Sequence, residues 1–335
     1  MKNFNLAQIK QNINLIGRCA FVGEKLFCDF TASGFEFRAN FKNTPVSVTL
    51  DAISEIGHFG VMLDDDYENM RNLVTPVGKQ ELTIFENLDG VHTIRFVKLY
   101  EFSRGSSSIE SVNFSGEIEE KPEVEKLKFE FYGDSLTCGY GNLSTTRNSP
   151  NPFNPLEHGY KTWCIRLARH FGARANIVSQ SGQGIVSDCT GNPKGVVFRY
   201  FDKDVMRLGV KHDFSAYVPD VVFIYLGTND INYVRNSNTK MDWPHFKSES
   251  KRLIDHIRAN APECKIVLLA GHEKGGNPVH DELVVAYNEI VGEYQNMFFF
   301  DDIVEDKRGG DWHPNVDDHK YMYEQIYPRL EKILK

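Results

Sequence analysis

A serine, a histidine and a set of amide donors stand where strand-like runs have just ended, and these residue types together can open an ester. Ser135 follows Phe129-Glu130-Phe131-Tyr132-Gly133-Asp134, an aromatic run that stops abruptly at a glycine. A junction of this kind puts a hydroxyl at the C-terminal end of a strand, where ligands gather in open α/β sheets. Serine is a poor nucleophile at neutral pH unless a general base takes its proton, and histidine is the usual base. Of the 11 histidines, His170, His245, His256 and His319 fall in helical or loop contexts that read as surface. His313 differs, because Gly309-Gly310-Asp311-Trp312-His313-Pro314-Asn315 lies between a last strand and a last helix and opens onto the same end of the sheet as Ser135. Asn229, in Gly227-Thr228-Asn229-Asp230, offers a side-chain amide to a developing oxyanion, a donor typically worth ~10²–10³ in rate. Its plainer use is to cap a turn. In Ser181-Gly182-Gln183-Gly184-Ile185 the backbone N–H of Gly184 is a second candidate donor, with Gly182 as the alternative. Asp134 and Asp230 are expected to bond nearby backbone.

These residues need a scaffold that brings strand ends together. From Leu127 onward strands and helices alternate. Phe129 to Gly133, Ala175 to Ser179, Val221 to Leu226, Lys265 to Ala270 and Met297 to Phe300 read as strands, and apolar residues at helical spacing lie between them. The run Val221-Val222-Phe223-Ile224-Tyr225-Leu226 is continuously apolar, as a parallel strand covered on both faces must be. Five strands with crossover helices predict a flavodoxin-like, three-layer parallel sheet of order 2-1-3-4-5. A last helix is expected over Val316 to Leu334, with Pro328 as a kink or stop.

Residues 1–120 have a different grammar. Phe35-Glu36-Phe37-Arg38-Ala39-Asn40-Phe41 and Val46-Ser47-Val48-Thr49-Leu50 alternate with a period of two, the signature of half-buried antiparallel strands. About eight short strands predict a β-sandwich of jelly-roll type, with a hairpin at Asp89-Gly90 and a short leading helix over Leu6 to Ile16. The charged stretch Glu117 to Lys126, broken by Pro122, reads as the connector between this domain and the α/β domain of residues 127–335.

The bulk numbers exclude several classes. Among 335 residues, 38 basic and 46 acidic side chains give a net charge of −8, which argues against a nucleic-acid partner, since such a protein shows a basic face. No apolar run approaches the ~20 residues needed to cross a bilayer. The first eleven residues lack a signal-like apolar core and the six cysteines are scattered, so a cytoplasmic location is expected, although a secreted chain without its leader would read identically. The glycines after the second strand do not make a dinucleotide fingerprint, because the third position is Ser187. No phosphate-binding lysine motif or metal-ligand spacing occurs either, so no cofactor is expected.

Gly-Asp-Ser-Leu, the Gly184 turn, Gly-Thr-Asn-Asp and a C-terminal His-Pro occur in the chain order of the SGNH, or GDSL, hydrolases, and residues 127–335 resemble that group. No G-x-S-x-G elbow is present. The preceding sandwich, together with Ser-Gly-Gln-Gly and Asp-Trp-His-Pro, makes nearly the whole chain similar to carbohydrate esterase family 2. That resemblance implies a serine esterase that removes acetyl groups from hexose units of plant polysaccharides, notably at the 6-hydroxyl, as acetyl xylan esterases do. It implies Ser135 as nucleophile, His313 as base, and Ser135 N–H, Gly184 N–H and the Asn229 amide as oxyanion donors. One position departs from the pattern. These enzymes place an aspartate three residues before the histidine, and Gly310 stands there, with Asp311 only two before. Either Asp311 bends back to the imidazole or a backbone carbonyl orients the ring, and Asp311 is the expected orienting acid. Trp312, beside the base, is expected to stack on a sugar ring, and residues 141–159 and 231–245, with Trp243, to complete the rim. The alternatives are a short-chain lipase or thioesterase of the same group, or a carbohydrate-binding protein with an inactive hydrolase domain. The alternating aromatics Phe35 and Phe37 favour packing over a separate sugar site in the sandwich.

Overall fold

A computed structural model describes residues 1–149, 154–273 and 278–335. Period-two alternation becomes ten antiparallel strands. These are β1 (Lys2–Asn5), β2 (Ile13–Ile16), β3 (Cys19–Val22), β4 (Lys25–Cys28), β5 (Gly34–Ile53), β6 (Gly57–Leu63), β7 (Arg71–Thr75), β8 (Gly78–Lys98), β9 (Ser106–Phe114) and β10 (Gly116–Ile118). They run in the order β3-β4-β9-β5-β8-β6-β7, with β1 on β9 and with β2 and β10 on β5. Phe35, Phe37, Ala39 and Phe41 are fully buried and build the core between the layers.

Two expectations fail here for one reason, that long-range pairing overrides local signals. Asp89 and Gly90 make no hairpin; they lie inside the 21-residue β8, which pairs with β5 along nearly its whole length through shifts in register around Phe41 to Ser47. Such bulges bend strands, and one long bent pair replaces several short strands. Leu6 to Ile16 is not a helix either. Only Lys10–Asn12 make a single 3₁₀ turn, and Ile13 to Ile16 pair with Phe37 to Gly34.

The antiparallel strands end at Ile118 and the first parallel strand begins at Leu127. β11 (Leu127–Gly133), β12 (Ala173–Ser179), β15 (Val221–Tyr225), β16 (Lys265–Glu273) and β17 (Met297–Glu305) form a parallel sheet of order β12-β11-β15-β16-β17, the predicted 2-1-3-4-5; β13 (Lys203–Val205) and β14 (Val210–Lys211) are a small separate hairpin. The helices are α1 (Ser135–Cys138), α2 (Trp163–His170), α3 (Thr228–Ser237), α4 (Trp243–Asn260), α5 (Pro278–Val291) and α6 (Val316–Leu334), and α6 continues through Pro328. Among the described residues, no helix is long and apolar enough to cross a membrane.

The two domains share a core. Ala32, Met62, Val97 and Leu99 of the sandwich pack in one cluster with Phe129, Phe131 and Trp163. A buried ion pair adds direction, with Arg18 donating to Glu130 at 2.7 Å and to the Tyr132 hydroxyl at 2.9 Å. This fixes the sandwich beside the sheet, and its 101–104 segment reaches the end of the sheet where Ser135 sits.

Candidate active site

Ser135 is placed by local chemistry. β11 ends at Gly133, and Asp134 caps α1 by accepting the Leu136 N–H at 3.0 Å. Ser135 is the first residue of that helix and is buried, so its own N–H has no carbonyl to meet within the helix. The indole N–H of Trp163 donates to the Leu136 carbonyl at 3.1 Å and ties the turn to the core.

His313 comes from the opposite side of the cleft, with Nε2 2.8 Å from Ser135 Oγ. Its Nδ1 lies 2.7 Å from the backbone carbonyl of Asp311, not from the carboxylate. The expected orienting acid is therefore replaced by main chain, and the backbone explains why. Asp311 and Trp312 both adopt left-handed conformations, with φ of +52° and +58°, so the chain reverses and turns the 311 carbonyl back toward the ring two residues on. Aspartate tolerates this region better than most residues, whereas a tryptophan there carries strain. A carbonyl only accepts, so Nδ1 must carry the hydrogen and Nε2 is left as the acceptor for the serine proton. Burial holds His313 below its ordinary pKa, against the raising effect of Asp311, which keeps the ring neutral at pH 7. The Tyr140 ring lies against the imidazole with centroids 4.6 Å apart, and the Arg104 guanidinium lies over Tyr140 at 4.9 Å.

The amide donors are arranged differently from expectation. The N–H of Gly184 donates to the Gly195 carbonyl at 3.3 Å, and a Cβ on this residue would come within 2.3 Å of Asp230 Oδ2. Gly184 is a packing glycine over Asp230, turned away from the serine. Asp230 accepts the N–H groups of Ile185, Val186 and Ser187 at 2.8–3.1 Å, and burial raises its pKa to about 6 against those bonds. Gly182 is the glycine that lines the cleft with Ser135 and His313. Asn229 lines it as well, but its Nδ2 is 2.9 Å from both Asp134 Oδ2 and the Gln183 carbonyl, so it ties the serine's cap to the Gly182 turn.

This constellation and the two-domain frame have known counterparts. Residues 131–322 match the GDSL-like lipase/acylhydrolase family, and residues 15–122 match the carbohydrate esterase 2 N-terminal domain. The chain belongs to the GDSL-like lipase/acylhydrolase family, in its carbohydrate esterase family 2 branch. It is 30% identical over 318 residues to the cellulase/esterase CelE of Acetivibrio thermocellus, covering 90% of this chain and 37% of that protein's length. An acetylxylan esterase/glucomannan deacetylase of Cellvibrio japonicus is 24% identical over 88% of this chain and 83% of its own. In structure the chain is similar to a family two carbohydrate esterase from Clostridium thermocellum solved with cellohexaose, with a TM-score of 0.87 and 27% identity over 96% of this chain and 99% of the other.

Within this family 2 frame the cleft has a volume of about 870 Å³ and walls from both domains. The sandwich contributes Glu101, Ser103 and Arg104, and α3 contributes Asn232, Arg235 and Asn236. Trp312 is 57% exposed on its edge, with the Arg147 guanidinium 5.3 Å from its ring centroid. Of the expected rim, residues 150–153 lie outside the described residues, and Trp243 packs on Phe246 away from the cleft lining. Gly182 is the alternative donor that the sequence offers, whereas Tyr140, Glu101 and Arg104 are not singled out there. Tyr140 sits in the serine's own block and was within reach, but nothing in the order of the chain points from residues 101–104 to Ser135. His319, expected at the surface, is fully buried, and burial lowers its pKa to about 3.

Among the described residues, the group with ligand atoms close enough to hold a metal ion is Glu101, Cys138 and Glu157, all within 4.8 Å of one another. All three are already engaged, since Glu101 accepts the Ser181 N–H, Glu157 accepts the Glu101 N–H, and the Cys138 thiol donates to the Ser135 carbonyl at 3.7 Å. Burial and the Glu101 carboxyl push Glu157 well above the ordinary carboxylate value. The donor set therefore fits a hydrogen-bonded cluster better than a cation site.

Proposed function

We propose that this chain is a carbohydrate O-acetyl esterase that deacetylates oligo- or polysaccharides through a serine acyl-enzyme. The observation that carries it is the 2.8 Å hydrogen bond from Ser135 to a neutral His313 of fixed tautomer, on the floor of a polar and aromatic cleft. Ser135 Oγ attacks the acetyl carbonyl carbon and its proton passes to His313 Nε2. The oxygen that gains charge is met by the Ser135 and Gly182 N–H groups, and the Asn229 amide adds a third donor by loosening its contact with the Gln183 carbonyl. His313 then protonates the departing sugar hydroxyl. Water, deprotonated by the same nitrogen, attacks the acyl-serine, and acetate leaves with Ser135 restored.

The substrate class draws support from the cleft wall and from the relatives. An exposed indole edge and an asparagine- and arginine-lined side suit a sugar's apolar face and hydroxyls. A long acyl chain would need an apolar groove, which this lining does not offer. The named relatives act as a cellulase/esterase and as acetylxylan esterase/glucomannan deacetylase. Acetate release from a panel of acetylated mono- and oligosaccharides, run beside nitrophenyl esters, tests the reading. Acetylated sugars and the C2 ester are expected to turn over, with C8 much slower; faster turnover of C8 than C2 would replace the acetyl reading with the lipase one.

A further inference from the structure

The turn that presents Gly182 is held from the other domain. Gln183 N–H donates to the Gln180 carbonyl at 3.4 Å, and Gly182, third of the four residues, has φ of +77°. Positive φ at that position marks a type II turn, which differs from type I by a flip of the peptide between the second and third residues. That peptide carries the Gly182 N–H, so the same flip decides whether the N–H faces the cleft. Four bonds anchor the turn within the α/β domain: Gln180 N–H to the Gly133 carbonyl, Cys189 N–H to the Gly182 carbonyl, Asn229 Nδ2 to the Gln183 carbonyl, and Ser181 Oγ with Cys138 Sγ at 3.5 Å. The fifth anchor crosses the domain boundary, where Ser181 N–H donates to Glu101 Oε2.

Glu101 lies three residues beyond the end of β8 and is fully buried. It is itself pinned, since its N–H donates to Glu157 at 2.6 Å and its carbonyl accepts from Lys98 Nζ at 3.2 Å. Its second carboxyl oxygen, Oε1, is buried with no hydrogen-bond partner among the described residues.

We propose that Glu101 is a positioning residue for the reaction. From the β-sandwich it fixes the Ser181 N–H and so holds the following peptide in the orientation that aims the Gly182 N–H at the oxyanion. The inference rests on the esterase reading above, with Gly182 as a donor. It makes the sandwich part of the catalytic apparatus, acting through one side chain.

The test compares Glu101→Met, which fills the space without an acceptor, with Glu101→Gln, which keeps an oxygen able to accept the Ser181 N–H. Both are measured in the full chain on nitrophenyl acetate and on an acetylated methyl glucoside, with thermal midpoints. Glu101→Met is expected to lower kcat ~10- to 100-fold on both substrates, with KM within about threefold and a folded protein. Glu101→Gln should restore kcat to within about threefold of wild type. A Met variant with wild-type kcat, a loss carried by KM, a Gln variant as slow as the Met one, or a Met chain that does not fold would each overturn the proposal. Absence of acetate release from sugars by the wild type would instead strike the substrate reading, because nitrophenyl acetate still reports the oxyanion turn.

Discussion

The loop after β11 and the loop after β17 meet at one hydrogen bond, and they are built in opposite ways. Residues 135–138 are all buried, opened by an aspartate cap and closed by Gly139 in the left-handed region. Asp311 and Trp312 are exposed, and each takes a conformation that side chains other than glycine's rarely adopt. The nucleophile stands where ordinary rules for ending a strand and starting a helix put it. The base is aimed by a backbone carbonyl that a strained turn has reversed. Backbone strain of about 1–3 kcal/mol per such residue persists only where the surroundings enforce it, and here Gly309 N–H to the His313 carbonyl at 2.7 Å and Gly310 N–H to the Gly141 carbonyl at 3.0 Å do so.

If the two loops form one unit across that bond, the largest effects come from cutting either side. Ser135→Ala and His313→Ala should each lower kcat on nitrophenyl acetate by roughly 10⁴–10⁶, and the double variant should be no slower than the worse single one. Losses that add in the double variant would mean that the two residues act independently.

The pH profile sharpens the comparison next. The base works as neutral imidazole, and burial sets its pKa below the ordinary 6.5. Activity should therefore stay level from pH 8 to below 6.5 and then fall about tenfold per pH unit as His313 becomes protonated. A carboxylate against Nδ1 would favour the imidazolium and move the acid limb upward. An acid limb of kcat/KM at or above pH 6.5 would contradict the main-chain arrangement.

Much of this frame is legible in the chain. Continuous apolar runs between helical stripes give the parallel sheet and its order, because strands covered on both faces have no polar side to show. The junction at Gly133-Asp134-Ser135 is readable because capping is local. What escapes the sequence depends on direction or on distant contacts. Spacing nominates both Gly182 and Gly184, yet only the backbone angles and the position of Asp230 decide which N–H faces the cleft. Asp311 is legible as a residue, but whether its carboxylate or its carbonyl meets the ring depends on a left-handed turn that residue types do not announce. Glu101 and Arg104 reach the site only because Arg18, Glu130 and a shared apolar core set the sandwich against the sheet. Ile13 to Ile16 and Asp89-Gly90 follow the long bent strands instead of their own local preferences.

The smallest expected effect is the most direct test of how the base is held. Asp311→Asn removes the carboxylate, keeps the carbonyl, and retains a residue that accepts the left-handed conformation. Steady-state kinetics on nitrophenyl acetate and an acetylated sugar should give a kcat within about threefold of wild type, since the bond to His313 Nδ1 comes from the main chain. A loss of roughly a hundredfold or more, of the size expected when a triad's orienting acid is removed, would contradict this account and return the Asp311 side chain to the catalytic set.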